Sequence, residues 1–288
     1  MIPYDSPRRL AAFLAQRGLS PKKRFGQNFL VDAGVRGRIL GLLAPEKGTR
    51  VWEIGPGLGA MTRALLEAGV LLRTFEIDRG FIAVLEEEFA GEQNFTLVAG
   101  DVLRRWPEFR EESPRLIFGN LPYSVAAVLI ADFLEKDFIQ SRWLFMVQKE
   151  VAARMAARPG TKSYSSFSLL CQTFTELRLH DDIPPAAFYP RPEVFSTIVE
   201  LIPRKDQPRI ENRGLYLGLA RSLFASRRKT IKNNLLPWAA SQGKDATWTE
   251  GLIREAGLDG GLRGEVLSVE EVVHLANIAT NYFAAGQN

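Results

Sequence analysis

The chain has 288 residues, 46% of them hydrophobic and 24% charged, which is enough apolar material for a large domain with a smaller companion. No run approaches the roughly 18 apolar residues of a membrane helix, and the Met1-Ile2-Pro3-Tyr4-Asp5 start lacks a secretory pattern, so a cytoplasmic protein with no membrane partner is expected. A single cysteine, Cys171, excludes an internal disulfide framework, and His180 and His274 stand far apart with no ligand spacing, so no metal site is expected.

In chain order, Arg17, Lys22, Lys23 and Arg24 form a first basic stretch. Short β-rich runs follow at 51–54, 71–77, 95–98, 116–118 and 143–147, separated by amphipathic helical patterns such as 61–66 and 81–89. Strict alternation of this kind predicts an α/β fold with a parallel sheet and helices on both faces. Ligands in such folds sit beyond the carboxyl ends of the strands. A helical pattern then runs to residue 157, a loop passes through Pro159-Gly160, and two further β-type runs occupy 177–183 and 197–202. The proline-bracketed stretch 203–208 reads as a linker. Beyond it the pattern is helical at 215–224, 230–236 and 252–256, and a last helix opens at Ser268, whose spacing to Glu271 fits a capping box. Arg221, Arg227, Arg228, Lys229 and Lys232 form a second basic stretch with no acid between them. Two such clusters in a chain of otherwise mixed charge point to nucleic acid. The expected domains are residues 1–204, α/β, and residues 209–288, a small α bundle.

Glu53-Ile54-Gly55-Pro56-Gly57-Leu58-Gly59 lies where the first strand of the alternation turns into a helix. Glycines there let backbone amides approach a ligand. Gly55, Gly57 and Ala60 also satisfy the G-x-G-x-x-A dinucleotide fingerprint, so the loop indicates an adenosine cofactor and leaves its identity open. Glu76, at the end of the next strand, suits ribose hydroxyls under either reading. Asp101, after the third, can accept from an adenine amino group. Glu53 either supports the loop or meets the positive end of the cofactor.

Asn120-Leu121-Pro122-Tyr123, after the fourth strand, decides between the rivals. The exocyclic amine of adenine is a poor nucleophile because its lone pair is delocalised into the ring. An asparagine oxygen and an adjacent backbone carbonyl can accept both of its N–H bonds and turn the lone pair toward an electrophile. Pro122 fixes its own φ and helps hold that carbonyl, and Tyr123 offers a flat face for a base. A sulfonium methyl donor needs no strong general base, which agrees with the lack of a well-placed histidine or nucleophilic cysteine.

With these motifs together, the sequence resembles the KsgA-type ribosomal RNA adenine dimethyltransferases over nearly its whole length. Lys22-Lys23-Arg24-Phe25-Gly26-Gln27-Asn28-Phe29-Leu30 is similar to that family's N-terminal signature, and Phe188-Tyr189-Pro190-Arg191-Pro192-Glu193-Val194-Phe195-Ser196 to its F-x-P-x-P-x-V-x-S segment. Arg227 to Asn234 resembles its basic C-terminal signature. The resemblance implies a class I methyltransferase fold and S-adenosylmethionine contacts from Asn28, Leu30, Gly55, Glu76, Asp101 and Asn120. It also implies catalysis by Asn120, Leu121, Pro122 and Tyr123, with Phe188 on the opposite side of the target base. The implied substrate is a pair of adjacent adenosines in the 3′-terminal hairpin of small-subunit ribosomal RNA within the immature 30S particle, modified by a monomer. Ser165 stands where the family often has glycine, and Phe195 where a polar residue is more usual. Three other readings compete. A resistance-type methyltransferase of large-subunit RNA shares the core motifs but not the Arg-Arg-Lys-Thr signature. A nicotinamide enzyme leaves residues 120–123 unexplained, and an assembly factor would use methylation only for release.

Overall fold

The computed structural model describes residues 2–22, 26–121 and 123–285, with the side chains of Tyr123, Ser124 and Ala285 outside that description. The chain opens with α1 (Pro7–Gln16), β1 (Phe29–Leu30) and α2 (Ala33–Leu43). An alternating stretch follows: β2 (Arg50–Ile54), α3 (Ala60–Glu67), β3 (Leu71–Glu76), α4 (Arg79–Glu88), β4 (Phe95–Ala99) and α5 (Val102–Arg105). It continues through β5 (Leu116–Asn120), α6 (Tyr123–Glu135), β6 (Arg142–Gln148), α7 (Lys149–Met155) and α8 (Ser166–Phe174). Then come β7 (Thr175–Ile183), β8 (Phe188–Tyr189) and β9 (Ser196–Pro203), and four helices, α9 (Arg213–Leu223), α10 (Ile231–Ser241), α11 (Ala246–Glu255) and α12 (Val269–Ala285).

The main sheet has the order β4-β3-β2-β5-β6-β9-β7. The first five are parallel neighbours, and the chain's progression reverses between β2 and β5, which makes their carboxyl ends the topological switch point where a crevice opens. β9 runs antiparallel to β6, and β7 lies beyond it, so the two later β-type runs extend the same sheet and the parallel pattern ends at β6.

Successive residues of a strand face opposite ways. Val51, Leu116, Phe118, Leu144 and Met146 join α2 and α3 in one core through Val35, Ile39, Leu43, Met61 and Leu65. Trp52, one residue on from Val51, stacks on Phe138 at 5.3 Å and meets Phe75 edge-on at 5.1 Å. Trp106, Phe133 and Trp143 extend that aromatic layer. Both faces are therefore dry, which is why the inner strands read as continuous apolar runs.

Two compact units result: Met1–Ala152 with Leu177–Pro203, and Ala153–Glu176 with Arg204–Asn288. They interleave along the chain, whereas the sequence suggested a single cut near residue 204. The added piece supplies α8, which no periodicity had marked. Ser165 caps it, accepting from the Ser168 N–H at 3.4 Å while Ser168 Oγ accepts from the Ser165 N–H at 3.1 Å. A serine, unlike a glycine, can do this. Within the second unit α9 packs on α8, α10 and α12. The Ser268–Glu271 capping box forms with bonds of 2.7 and 3.1 Å.

Candidate active site

β2 ends at Ile54, and the chain turns through Gly55, Gly57 and Gly59 before α3, all three with positive φ. At Gly55 (φ 69°) a β-carbon would have one atom within 4 Å, the Asn120 carbonyl oxygen at 3.9 Å, so it would project into the crevice between β2 and β5. That crevice holds about 1180 Å³ of empty space, open mouth included. Asn28, Leu30, Gly55, Glu76, Asp101, Asn120 and Leu121 all line it. Residues far apart in the sequence thus converge on one cleft at the carboxyl ends of four strands.

Glu76 is buried at the end of β3. Its Oε2 accepts from the Gly57 N–H at 3.1 Å, and Oε1 from the N–H groups of Ile77 and Asp78 at 2.9 and 2.8 Å. Burial raises its carboxyl to about 7 against these three bonds. Three of roughly four acceptor positions are filled, and at least one is left for a ligand hydroxyl. Glu53 is more deeply enclosed, accepts from Thr62 Oγ1 at 2.6 Å, and is raised by burial to about 8. Asp101 caps α5 through Oδ1, which accepts from the Leu103 N–H at 3.0 Å. Its second oxygen is not needed for that cap.

The chain before β1 is fastened by Asp78, the buried N-cap of α4. Lys22 Nζ lies 2.9 Å from Asp78 Oδ2, and Gln27 Nε2 donates to the same oxygen at 3.1 Å. Burial pushes the Asp78 carboxyl up, but the bonds from Lys22, Gln27 and the Gly80 N–H outweigh it and the net shift is down. This fastening sets Asn28, whose backbone carbonyl accepts from Asn120 Nδ2 at 2.9 Å. The Asn120 amide is oriented by that bond, with the nitrogen engaged and Oδ1 left as its acceptor. Leu121 is held by its N–H to the Met146 carbonyl at 3.1 Å. Pro122 and the Tyr123 ring lie outside the described residues. Phe188 pairs with Leu30 across the β1–β8 ribbon and is buried in the α2–α3 core. It does not line the cleft in this arrangement; it supports the strand that carries Leu30. Gln27, Thr62, Tyr4 and Met146 also belong to the site or its frame and went unmarked in the sequence, because their partners are long-range.

The chain matches the family described as ribosomal RNA adenine dimethylase over residues 18–275. It belongs to that family. Ribosomal RNA small subunit methyltransferase A of Treponema denticola is 44% identical over 279 residues, covering 96% of this chain and 95% of the relative. The protein of the same name from Borreliella burgdorferi is 37% identical over 281 residues, with 98% and 96% covered. Among solved structures, a Plasmodium falciparum dimethyladenosine transferase superposes with a TM-score of 0.72 at 21% identity, covering 88% of this chain and 97% of that one. The 23S rRNA methyltransferase ErmE gives 0.62 at 23% identity, with 87% and 99% covered. At these identities the likeness is one of fold, a Rossmann-like methyltransferase sheet flanked by helices.

The fold divides the two basic clusters between internal pairs and exposed cations. Arg17 pairs with Glu87 at 2.5 Å and Lys22 with Asp78, so half of the first cluster braces the protein itself. Lys23 and Arg24 lie outside the described residues. In the second unit, Arg227 makes two bonds to Glu265 Oε2 at 2.9 and 2.7 Å, and Lys232 pairs with Glu250 at 2.6 Å. The acids absent from the local sequence arrive through the fold. Arg228 and Lys229 are exposed on the turn between α9 and α10. Asn234, the last residue of the signature, is buried under that turn. Its Nδ2 donates to the carbonyls of Leu223 and Ser226 at 2.8 and 3.0 Å, and its Oδ1 accepts from the Ser226 N–H at 3.2 Å.

Proposed function

We propose that the chain transfers methyl groups from S-adenosylmethionine to N6 of two adjacent adenosines in the 3′-terminal hairpin of small-subunit (16S) ribosomal RNA. The product is N6,N6-dimethyladenosine, formed within the immature 30S particle by a cytoplasmic monomer that takes part in small-subunit biogenesis. Family membership supports the reaction, and the names of the relatives support the small subunit over the large. The observation that carries the chemistry is the Asn120 amide, anchored through its nitrogen on the Asn28 carbonyl with Oδ1 unspent.

The cleft suits S-adenosylmethionine on its donor set. The buried Glu76 carboxylate takes ribose hydroxyls, Asp101 takes the adenine amine, and the space a side chain at Gly55 would fill takes the methionine part beside Asn28, Leu30 and Asn120. When bound, it supplies an electrophilic methyl group on a sulfonium. Asn120 Oδ1 and the Leu121 carbonyl accept the two N–H bonds of the target amine and localise its lone pair. As the nitrogen–carbon bond forms, the donor's sulfur–methyl bond would break to leave S-adenosylhomocysteine, and the amine, now cationic, sheds a proton to solvent. The second transfer starts from an amine with one N–H remaining. Unstacking each adenine costs a few kcal/mol, offset by stacking on Tyr123, roughly 1–3 kcal/mol per base.

Labelled S-adenosylmethionine incubated with unmethylated small subunits, followed by nucleoside mass analysis, tests this reading. Dimethyladenosine in the small-subunit RNA is expected. Transfer to the large subunit alone, or none at all, removes the substrate assignment. Asn120→Ala should lower turnover on the order of 10²-fold or more, the scale of losing one preorganised polar group at a reacting centre, with S-adenosylhomocysteine affinity little changed. Full dimethylation by that variant would refute the catalytic role.

A further inference from the structure

The family match begins at residue 18, yet part of the cleft wall comes from before it. Tyr4 and Leu10 line the cleft, and Tyr4 Oη donates to the Leu58 carbonyl, inside the glycine turn, at 3.1 Å. Ile2, Leu10 and Leu14 form a small buried core with Phe29, Val31, Leu58, Phe81 and Val84. This core presses on the turn from outside: a β-carbon at Gly57 would lie 3.2 Å from the Phe29 ring, and Phe29 in turn meets Phe81 edge-on at 5.3 Å. The segment is fixed at both ends. Asp5 pairs with Arg36, and Arg17 makes two bonds to Glu87 at 2.5 and 2.8 Å. Ser6 caps α1, with Pro7 as its first residue.

None of these contacts is needed to finish the sheet. What they share is the Gly55–Gly59 turn, whose shape the cofactor reading depends on. A turn with three glycines is conformationally free, and holding it in one shape before a ligand arrives removes an ordering cost from binding. We infer that Tyr4, with the α1 segment behind it, is a positioning residue of the cofactor site. Its hydroxyl holds the Leu58 carbonyl and thereby the glycine turn, and its ring with Leu10 closes that end of the cleft. The inference rests on the cofactor reading given above.

The test uses the full chain and S-adenosylhomocysteine as probe, with affinity by calorimetry, dissociation by stopped flow, and RNA affinity and thermal melting measured alongside. Tyr4→Phe keeps the wall and removes one hydrogen bond, so affinity should fall about threefold. Tyr4→Ala removes both, and a fall of about tenfold or more is expected, carried by faster dissociation. RNA affinity and melting temperature should stay near the native values in Tyr4→Phe. Native-like binding of the probe by both variants overturns the proposal, as does a loss that tracks melting temperature in both. A native chain that does not bind the probe overturns the cofactor reading itself, and the proposal with it.

Discussion

Glu76 accepts three backbone N–H bonds, and burial still lifts its carboxyl to about 7. Its ionised form is the better acceptor for ribose hydroxyls. Binding of S-adenosylhomocysteine should therefore tighten as pH rises from 6 to 8, and Glu76→Gln should bind more weakly with a flat profile. A native profile that is flat over that range would rule out ionised Glu76 as the ribose acceptor. Glu53 affects folding more than binding. Its folded-state carboxyl is raised from 4.5 to about 8, so between those values the folded protein holds a proton that the unfolded chain has released. Stability then falls as pH rises through that window. Glu53→Gln has no proton to lose and should be more stable than the native protein at pH 9, by roughly 3–5 kcal/mol, with little difference at pH 4. Equal denaturation midpoints at both pH values would remove Glu53 as the cause. Glu76, Asp101 and Asn120 could be picked out in the sequence because each lies at or just beyond the carboxyl end of a strand of a parallel sheet, where ligand groups belong. Thr62, Gln27 and Tyr4 could not, since each owes its position to a partner more than two turns of chain away.

Among the elements, the turn between α9 and α10 shows how a motif divides into contact and support. Asn234 makes three hydrogen bonds under the turn, and on the other side the Gly264 backbone sits so close that a β-carbon there would lie 2.3 Å from the Leu223 carbonyl oxygen. Asn234→Ala takes their partner from the Leu223 carbonyl and the Ser226 N–H, while the Ser226 carbonyl keeps the Lys229 N–H at 3.1 Å. A loss of about 2–4 kcal/mol is expected from the second unit, counting 1–3 kcal/mol per orphaned group with partial rescue by water. Denaturant unfolding followed at Trp238 or Trp248 measures it, and a loss under 1 kcal/mol would mean the turn is held by other contacts. The burial of Asn234 is not legible in the sequence, because residue type alone does not distinguish a buried amide from an exposed one. The inner strands β2, β5 and β6 are readable for a simpler reason, as each buries both faces. The direction of β9 is not, since an apolar run carries no sign of which way its neighbour runs. β1 and β8, two residues each, are too short to show a period.

For the whole molecule, the net charge of +4 says little about RNA until the fold assigns each cation a partner. Arg17, Lys22, Arg227 and Lys232 are matched to Glu87, Asp78, Glu265 and Glu250, so four of the nine cations in the two basic clusters are spent within the protein. Arg228 and Lys229, exposed on a turn tied down from two sides, are the cations best set to displace counterions from a phosphate backbone. Each phosphate contact adds about 0.7–0.9 to the slope of log affinity against log salt. Arg228→Ala with Lys229→Ala should therefore reduce the slope for small-subunit RNA by roughly 1.4–1.8, with probe binding at the cofactor cleft unchanged. Arg227→Ala should reduce it by less than one contact's worth, because its guanidinium already serves Glu265. Equal slopes for all three proteins would take the turn out of the RNA interface. A larger effect from Arg227 than from the other two together would mean that the Glu265 pair opens when RNA binds, and that the brace and the contact are the same residue.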